Sequence, residues 1–382
     1  MLRRLYFLYR NGGSGYTANM ETQVVSEKKI RLMYVVESFS TGVYAIVRDV
    51  ACNLDPQRFE VLILHSIRSD SPKNYSHDFN SPNITLSYIP MGTSKSYLKA
   101  IGSIRKAIQE FQPDSIHLHS SKAGFLGRIA AHKSKSRLFY TPHGISFIRT
   151  DVGAAKRKIF YLLEKFIQLY TPSRMIAVSP AEYENVLKLT TNATVINNFI
   201  DVASVPQPRE TETILVGITG RITEAKNPPL FNRIALGMPS VRFIWIGDGD
   251  LRTQLSAQNI QITGQVTRSE ALKKLSELSV YIQTSSWEGM PISLLEAMAC
   301  AKPVVVSKIP AHENLIQDGA SGYICDGNAE NQFIEKIGLL LDQPDLRRKL
   351  GQGAKTFVLA HHDLNQAIER YSDEYEGSPT AY

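Results

Sequence analysis

Short runs of β-branched and apolar residues alternate along the chain with segments whose apolar residues recur at helical spacing. Before residue 205, buried strands are predicted at 30–36, 60–64, 84–89, 115–118, 137–141 and 175–178. Helices are predicted between them at 43–54, 97–111, 122–132 and 154–170. Strands that alternate with helices in this way favour a parallel sheet with helices packed on both faces.

A polar, proline-containing stretch at residues 201–212 predicts a linker, and the same alternation resumes after it. Further strands are predicted at 214–219, 241–246, 280–283 and 304–307. The chain is therefore predicted to be an α/β protein of two Rossmann-like domains that face each other across a cleft. Ligands of such sheets bind outside the carboxyl ends of the strands, so the cleft is the predicted site.

Both ends of the chain depart from this pattern. The first residues are basic and aromatic and lead into a glycine-containing stretch, so residues 1–28 are predicted to be a flexible tail, with Met20 as an alternative start. The last pattern, at 346–375, predicts one long helix that crosses back to the first domain. The predicted domains are 29–205 and 206–355, with the crossing helix and tail at 356–382.

The composition is typical of a folded protein with large cores. The 382 residues are 43% hydrophobic and 21% charged, as in ordinary globular chains. Cys52, Cys300 and Cys325 are odd in number and lack C-x-x-C spacing, so neither a disulfide framework nor a cysteine zinc site is predicted. A reducing cytoplasm is expected. No apolar run approaches the ~20 residues that span a bilayer.

Charge is divided unevenly between the two halves. Residues 1–205 contain 26 Lys and Arg against 15 Asp and Glu, whereas the remainder contains 17 against 21, for a formal net charge of +7. A basic half predicts contact with an anionic partner, such as a membrane surface or a phosphorylated substrate. Solubility alone is the equal alternative. Nucleic acid is disfavoured as a partner because the basic half lacks an aromatic and basic stacking pattern.

Residues 283–307 (QTSSWEGMPISLLEAMACAKPVVVS) have the most specific pattern. A strand is predicted to end at Thr284, and a polar loop leads to a helix that begins near Pro291, since proline suits the first helical turn. The free amide groups and dipole of a helix start can hold phosphate. Glu288 lies in the loop. Glu296 lies about one turn into the helix, where a carboxylate can accept two hydrogen bonds from a ribose diol.

The phrase EGMPISLLEAMACAKPVV resembles the E-x7-E signature of the retaining glycosyltransferases of family 4, which have the two-domain GT-B fold. By this resemblance, Glu288 contacts hydroxyls of the transferred sugar and Glu296 holds the ribose of the nucleotide. The loop and helix start are assigned to the donor diphosphate through Gly289, Met290, Pro291 and Ile292.

A second segment, residues 217–228 (GITGRITEAKNP), places two cations in one loop after a predicted strand. Arg221 and Lys226 can clamp a pyrophosphate and stabilise the charge of a departing diphosphate. The segment resembles the GR…K segment of the same family, in which these two residues bind the donor phosphates. Solvated loop cations are the alternative, and the presence of the E-x7-E segment favours the binding role.

Two turns of the second half are assigned to the vicinity of the nucleotide. IGDGD resembles the family's G-x-G turn through Gly247, and TGQV resembles the turn that touches the base, through Gly264 and Val266. IGDGD also contains D-x-D, which holds a metal in a different transferase fold. No metal or other cofactor is expected here, because the basic phosphate clamp makes one unnecessary.

Loops of the first domain are expected to face the donor. SFSTGV follows the first strand and resembles the family's glycine-rich loop near the phosphates and acceptor, with Gly42 and Val43, although two glycines are common there. Ser120 and Lys122, in HLHSSKAG, stand at the entrance to a helix and are assigned to the same acceptor or phosphate loop.

Three histidines lie at or near strand ends. Alternation places His117 and His119 on one face of a strand, and His117 is expected to be a packed core residue. His143, in TPHGISF, lies in a loop and resembles the family's cleft histidine near the donor sugar. It is predicted to be catalytic together with Glu288. A metal pair of His119 and His143 is a disfavoured alternative.

Two further segments suggest a hinge and a surface. VINNFID resembles the family's P-N-G-I-D segment before the hinge, with Asn198 at its asparagine. Residues 156–170 (KRKIFYLLEKFIQLY) form a basic, aromatic, amphipathic helix pattern. Such a helix either lies on an anionic membrane surface or packs its apolar face on the sheet, and both interpretations stay open.

Together these features predict a retaining glycosyltransferase that moves a hexose or N-acetylhexosamine from a nucleotide sugar, expected to be a UDP-sugar. HSSKAG and TPHG look most like the bacterial branch that builds capsule, lipopolysaccharide or exopolysaccharide. The expected acceptor is a polyprenyl-linked glycan or polysaccharide, and the expected location is the cytoplasm, including the inner face of the cell membrane. A nucleotide-sugar epimerase of the same fold and a non-catalytic scaffold are the alternatives.

Overall fold

The structure is a computed structural model that describes residues 28–68, 70–149, 151–209, 213–327 and 329–377. The predicted tail lies outside the described residues except for Lys28. Within the described part, the chain forms two parallel sheets, one before and one after the predicted linker. Residues 210–212 of that linker also lie outside the described part.

The first sheet has seven strands in the order β3-β2-β1-β4-β5-β6-β7, and each is parallel to its neighbours. The strands are β1 (Ile30–Val36), β2 (Phe59–His65), β3 (Ile84–Tyr88), β4 (Ser115–His119), β5 (Arg137–Thr141), β6 (Arg174–Ala177) and β7 (Ala193–Val195). The helices are α1 (Thr41–Asn53), α2 (Tyr97–Phe111), α3 (Ser121–Ala131), α4 (Ala154–Tyr170) and α5 (Pro180–Val186). The strand order reverses between β1 and β4, which is where open sheets bind ligands.

The second sheet has six parallel strands in the order β10-β9-β8-β11-β12-β13. The strands are β8 (Leu215–Thr219), β9 (Arg242–Ile246), β10 (Ile260–Ile262), β11 (Val280–Gln283), β12 (Val304–Ser307) and β13 (Gly322–Cys325). The helices of this half of the chain are α6 (Pro228–Gly237), α7 (Arg268–Ser276), α8 (Ile292–Ala299), α9 (Pro310–Glu313), α10 (Glu330–Asp342) and α11 (Pro344–His361). Its order reverses between β8 and β11, whose following loops carry the predicted phosphate clamp and Glu288.

The predicted strands and helices are confirmed to within a few residues at their ends, with three strands missed. The missed strands β7, β10 and β13 each lie at an edge of a sheet and contain three or four residues. A short edge strand buries few side chains, so its sequence lacks the apolar run that marks the central strands.

The predicted single helix at 346–375 is wrong, because the chain turns between α11 and a further helix, α12 (Leu364–Glu376). Asp363 caps α12 by accepting a hydrogen bond from Asn365 N at 2.9 Å. His362, which is 3% exposed, bonds through Nδ1 to Asn198 O at 2.8 Å, and its own carbonyl accepts from Ile200 N at 3.0 Å. The turn is therefore fixed by the segment that joins the two domains.

The prediction that the C-terminus crosses back is confirmed. α11 packs on α8 and β12 of the second domain, whereas α12 packs on α1 and β1 of the first. Tyr371 and Tyr375 of α12 are buried in the first domain's core. No helix in the described ranges is both long and apolar enough to cross a membrane.

We expect Tyr375→Phe to lower the free energy of unfolding by about 1–3 kcal/mol, because it leaves buried polar partners unpaired. The Tyr375 hydroxyl lies 2.6 Å from His117 Nδ1 and 3.1 Å from the Tyr34 hydroxyl. Denaturant titration measures the change. Tyr88→Phe is the matched control because Tyr88 is 55% exposed. Equal midpoints for the Tyr375 variant and the control would contradict this account.

Candidate active site

The loops at the carboxyl ends of the two sheets meet in the cleft. A Cβ atom built on Gly42, at the start of α1, would lie 3.4 Å from Ile292 Cγ1, at the start of α8. A Cβ atom built on Gly289 would lie 3.2 Å from Gly144 N, in the loop after β5. Gly289 therefore allows the two backbones to approach closely, whereas Gly42 faces the Ile292 side chain at ordinary contact distance. Val43, the neighbour of Gly42, packs against the first domain's core instead.

Glu288 lies in the loop after β11 and is held by charge and hydrogen bonding. Its carboxylate lies 2.8 Å from Lys226 Nζ and accepts from Ser285 Oγ at 2.9 Å. Only 17% of its side chain and 13% of that of Lys226 are exposed. The structure thus joins the two segments that the sequence assigned separately to sugar and phosphate, with this pair at their junction.

The loop ends where α8 begins, and Pro291 is the residue before the helix rather than its first residue. The side chain of Pro291 cannot cap this helix start. Leu294 N and Leu295 N donate to Pro291 O, so the amide groups of Ile292 and Ser293 are the ones suited to an anionic ligand. Met290 is 5% exposed. Its side chain packs in the second domain's core, and its carbonyl accepts from Asn198 Nδ2 at 2.9 Å.

Arg221 pairs with a residue of the other domain. Its Nη1 lies 3.2 Å from Asp70 Oδ2, in the loop after β2. Half of the Arg221 side chain is exposed, but only 12% of that of Asp70. Asp70 was not singled out in the sequence because nothing near it marks a site. A diphosphate that binds Arg221 has to compete with this carboxylate.

Glu296 lies on α8 and is 8% exposed. Burial raises the pKa of its carboxyl above the ordinary glutamate range, and Arg268 at the start of α7 opposes this rise. Arg268 Nε and Nη2 each lie 3.1 Å from the same carboxylate oxygen of Glu296. The second carboxylate oxygen is thus available for a ribose hydroxyl. Arg268 was missed in the sequence because it stands 28 positions from its partner.

The two turns assigned to the nucleotide are tied together. Gly247 N donates to Thr263 Oγ1 at 3.0 Å, which joins the IGDGD and TGQV turns. Gly247 has φ +140°, and a Cβ there would lie 2.2 Å from Gly220 O, so only glycine fits. Gly264 has φ +73°. Val266 packs partly buried against the second domain's core.

The first aspartate of the D-x-D in IGDGD, Asp248, is engaged within its own turn. Asp248 Oδ1 accepts from Gly249 N at 2.9 Å, and Oδ2 pairs with Arg252 Nη1 at 3.2 Å. A side chain in this role stabilises a turn between a strand and the next segment, which is how the sequence pattern was interpreted.

His143 lies in the cleft loop with φ +53°. Its Nε2 lies 2.9 Å from His119 Nδ1, and the two rings stack with centroids 5.2 Å apart. Burial lowers the pKa of His143 to about 3, so its ring is neutral near pH 7. His117 is fully buried and lies 2.8 Å from Thr141 Oγ1. The prediction that His117 is a core residue is confirmed.

The loop of His143 is supported by residues that the sequence did not single out. Glu182, which is 3% exposed, accepts from Gly144 N at 2.7 Å and from Val178 N at 2.8 Å. Burial raises the pKa of Glu182, and these two backbone bonds oppose the rise. Ser179, which caps α5 three residues before Glu182, donates to Gly289 O at 3.0 Å. The S-P-x-E pattern marks this helix start in the sequence.

His312 supports the Glu288 loop through a chain of hydrogen bonds. It is 0% exposed, and its Nδ1 donates to Ser307 O at 2.7 Å. The Ser307 hydroxyl in turn donates to Ser285 O, and Ser285 contacts Glu288. Burial lowers the pKa of His312 to about 4.

The remaining residues of the first domain form a charged cluster beside the cleft. Lys122 Nζ lies 3.1 Å from Glu37 Oε1, after β1, and also donates to Gly92 O at 3.1 Å. Arg68 pairs with the other oxygen of Glu37, which is 2% exposed. Ser120 has φ +78°, and its buried hydroxyl has no hydrogen-bond partner among the described residues.

Comparisons with known proteins define the class of the chain. Residues 40–204 match the family model Glycosyltransferase Family 4, and residues 202–357 match Glycosyl transferases group 1. UDP-Gal:alpha-D-GlcNAc-diphosphoundecaprenol alpha-1,3-galactosyltransferase of Escherichia coli is 25% identical over 312 residues, which cover 73% of this chain and 79% of that protein. The chain therefore carries a Glycosyltransferase Family 4 domain followed by a Glycosyl transferases group 1 domain, and it is a glycosyltransferase.

Solved structures show the same architecture. Sucrose-phosphate synthase from Thermosynechococcus elongatus is similar with a TM-score of 0.79 at 15% identity, over 91% of this chain and 98% of that one. Anabaena Alr3699/HepE in complex with UDP-glucose is similar with a TM-score of 0.76 at 16% identity, over 91% of this chain and 100% of that one. The GT-B fold is thereby confirmed.

We expect Glu182→Gln to lower the free energy of unfolding by about 1–3 kcal/mol, because an amide cannot accept from both Gly144 N and Val178 N. The freed amide should also exchange its hydrogen faster. Denaturant titration and hydrogen exchange at Gly144 measure the two effects. Glu184→Gln, on the exposed side of the same helix, is the matched control. Unchanged exchange at Gly144 would contradict the supporting role of Glu182.

We expect the free energy of unfolding to fall as the pH drops from about 6.5 towards 4. The pKa of His312 is about 4 in the folded protein, whereas an unfolded histidine takes up its proton near pH 6.5. The unfolded chain therefore binds the extra proton, which costs up to about 1.4 kcal/mol per pH unit for each such histidine.

His312→Gln should reduce the slope of the unfolding free energy against pH by the amount that corresponds to about one proton. Denaturant titration at a series of pH values measures this slope. His77→Gln, a matched substitution at an exposed position, is the control. The same slope in wild type and His312→Gln would show that His312 is protonated in the folded protein.

Proposed function

We propose that the protein is a retaining glycosyltransferase that moves a hexose or N-acetylhexosamine from a UDP-sugar to a lipid-linked acceptor. The observation that carries the proposal is the contact of Gly289 with the His143–Gly144 loop. This close approach supports a cleft lined by the Glu288 loop from the second domain and by the partly buried, neutral His143 from the first. A nucleotide sugar between them can meet both domains at its reacting carbon.

The second domain holds the donor. Lys226, Arg221 and the amide groups at the start of α8 bind the diphosphate, since cations and a helix start both favour negative charge. Glu296 accepts hydrogen bonds from the ribose, with Arg268 fixing its orientation. The turns at Gly247 and Gly264 flank the base. UDP is favoured as the nucleotide because the HepE structures, which share the fold, contain UDP or UDP-glucose.

The transfer step takes place on one face of the sugar. The acceptor hydroxyl forms a bond to the anomeric carbon on the face from which the diphosphate leaves, so the configuration is retained. The hydroxyl proton passes to the departing diphosphate. Glu288 and His143 orient the sugar by hydrogen bonds to its hydroxyl groups, and the cations stabilise the charge that develops on the diphosphate. These charges make a metal unnecessary in the proposed reaction.

The first domain is proposed to receive the acceptor. Lys122 and Arg68 lie beside the cleft on Glu37, within the half of the chain in which basic residues predominate. They provide positive charge for a phosphate-linked glycan. The name of the Escherichia coli relative specifies a diphosphoundecaprenol-linked acceptor, which supports a lipid-linked acceptor here.

We expect UDP to raise the melting temperature of the protein more than GDP or ADP, because UDP is the proposed nucleotide of the donor. A ligand at about 100 times its Kd stabilises the folded state by about 2.7 kcal/mol. Arg221→Ala and Glu296→Gln should each abolish most of the shift. Arg233→Ala is the matched control, since Arg233 is also surface-exposed and paired, but with Glu330 on α10, away from the cleft.

Asp70→Asn provides a further check, because it removes the carboxylate that competes for Arg221. It should preserve or increase the UDP shift. Incubation with UDP-sugars and a polyprenyl-diphosphate glycan then tests transfer itself. Lengthened glycan supports the proposal, whereas release of a free sugar epimer would identify an epimerase, and no shift with any nucleotide would overturn the donor site.

A further inference from the structure

α4 presents a continuous row of large apolar side chains outward. Six of them are between 47% and 72% exposed: Ile159, Leu162, Leu163, Phe166, Leu169 and Tyr170. They recur at spacings of three, four and seven, so they lie on one face of the helix. We call this face the α4 ridge. In an ordinary surface helix the apolar face is turned to the core, whereas here it is turned to solvent.

The ridge faces outward because the opposite side of α4 is fixed to the domain. Glu164 pairs with Arg128, which is 0% exposed, at 2.6 Å. Gln168 Nε2 donates to Ser173 O at 2.7 Å, and Ile167 is 2% exposed. A rotation of the helix that buried the ridge would leave the Arg128 guanidinium buried without its carboxylate, which is costly.

Lysines border the ridge on both sides. At about 100° per residue, Lys156 falls on one edge of the ridge, whereas Lys158 and Lys165 fall on the other. All three are exposed. Lys133 lines the same surface groove as Tyr170, at the carboxyl end of α4. The acidic residue of α4, Glu164, points inward to Arg128, so the ridge is bordered by positive charge.

We propose that the α4 ridge docks the protein on an anionic lipid bilayer, with the helix axis in the membrane plane. Apolar side chains of this kind enter the boundary between headgroups and acyl chains, while the flanking lysines reach anionic headgroups. A second copy of the chain fits the ridge poorly. Two ridges packed face to face would bring the lysine borders of both copies together.

α4 is in contact with the loop that carries His143. Phe147, four residues after His143, packs edge-on against Tyr161 of α4 with ring centroids 5.4 Å apart. The loop of His143 therefore lies between the cleft and the docking helix. Delivery of a membrane-anchored acceptor to that loop rests on the proposed function, whereas binding of the bilayer does not.

Sedimentation of the full chain with vesicles tests the docking surface. One vesicle set contains phosphatidylcholine alone, and the other contains about one third phosphatidylglycerol; neither contains a glycan acceptor. We expect binding to the anionic set, weakened by salt as the Debye length shrinks from about 10 Å at 0.1 M to 3 Å at 1 M. The double variant Leu162→Glu/Phe166→Glu should lose on the order of tenfold or more in binding.

Leu236→Glu is the matched control, because Leu236 is 58% exposed on α6 of the second domain. A second variant, Lys158→Gln/Lys165→Gln, keeps the apolar ridge and should lose binding selectively to the anionic vesicles. The UDP-induced melting shift of all variants should equal that of wild type. This readout shows that they are folded and separates a failure of docking from a failure of the donor site.

The proposal is overturned if wild type does not bind the anionic vesicles, or if the ridge variant binds as well as Leu236→Glu. It is also overturned if wild type is a dimer that Leu162→Glu/Phe166→Glu dissociates, since the ridge would then be an interface between copies.

Discussion

The arrangement of the cleft depends on two hydrogen bonds that tie the Glu288 loop to the other domain. Ser179 Oγ donates to Gly289 O at 3.0 Å, and Asn198 Nδ2 donates to Met290 O at 2.9 Å. Asn198 is 6% exposed. A carbonyl withdrawn from water needs a donor, so the loop cannot move away from the first domain without losing both bonds. Residues of the first domain thus determine where Glu288 lies.

Asn198 also links the Glu288 loop to the turn at which the C-terminal segment crosses back to the first domain. Its side chain holds the Glu288 loop, while its carbonyl accepts from His362 Nδ1 at the turn between α11 and α12. Ile200 N donates to the carbonyl of the same His362. Both passages of the chain between the domains therefore meet at one place. Any closure of the cleft has to be accommodated there, at residues 198–201 and 362–363.

The parts of the site that the sequence revealed are local, and those it concealed are distant. Glu288 and Glu296 lie within one strand, loop and helix, so their spacing predicts their placement. Asp70 and Arg268 are paired with site residues only through the tertiary fold. The break at Asp363 was hidden because apolar spacing continues from α11 into α12. Only their tertiary packing and the contacts of His362 show that the two helices belong to different domains.

The paired charges divide the proposed phosphate clamp, Arg221 and Lys226, into a fixed and a movable half. Lys226 and Glu288 are both largely withdrawn from water, so separation would leave an uncompensated charge, and they stay together. Arg221 is half exposed, and solvent screening limits its bond to Asp70 to about 1 kcal/mol or less. A diphosphate can therefore take Arg221 from Asp70 at little cost. Because Asp70 belongs to the first domain, this exchange would release one contact between the domains, so the proposed donor binding is coupled to domain position.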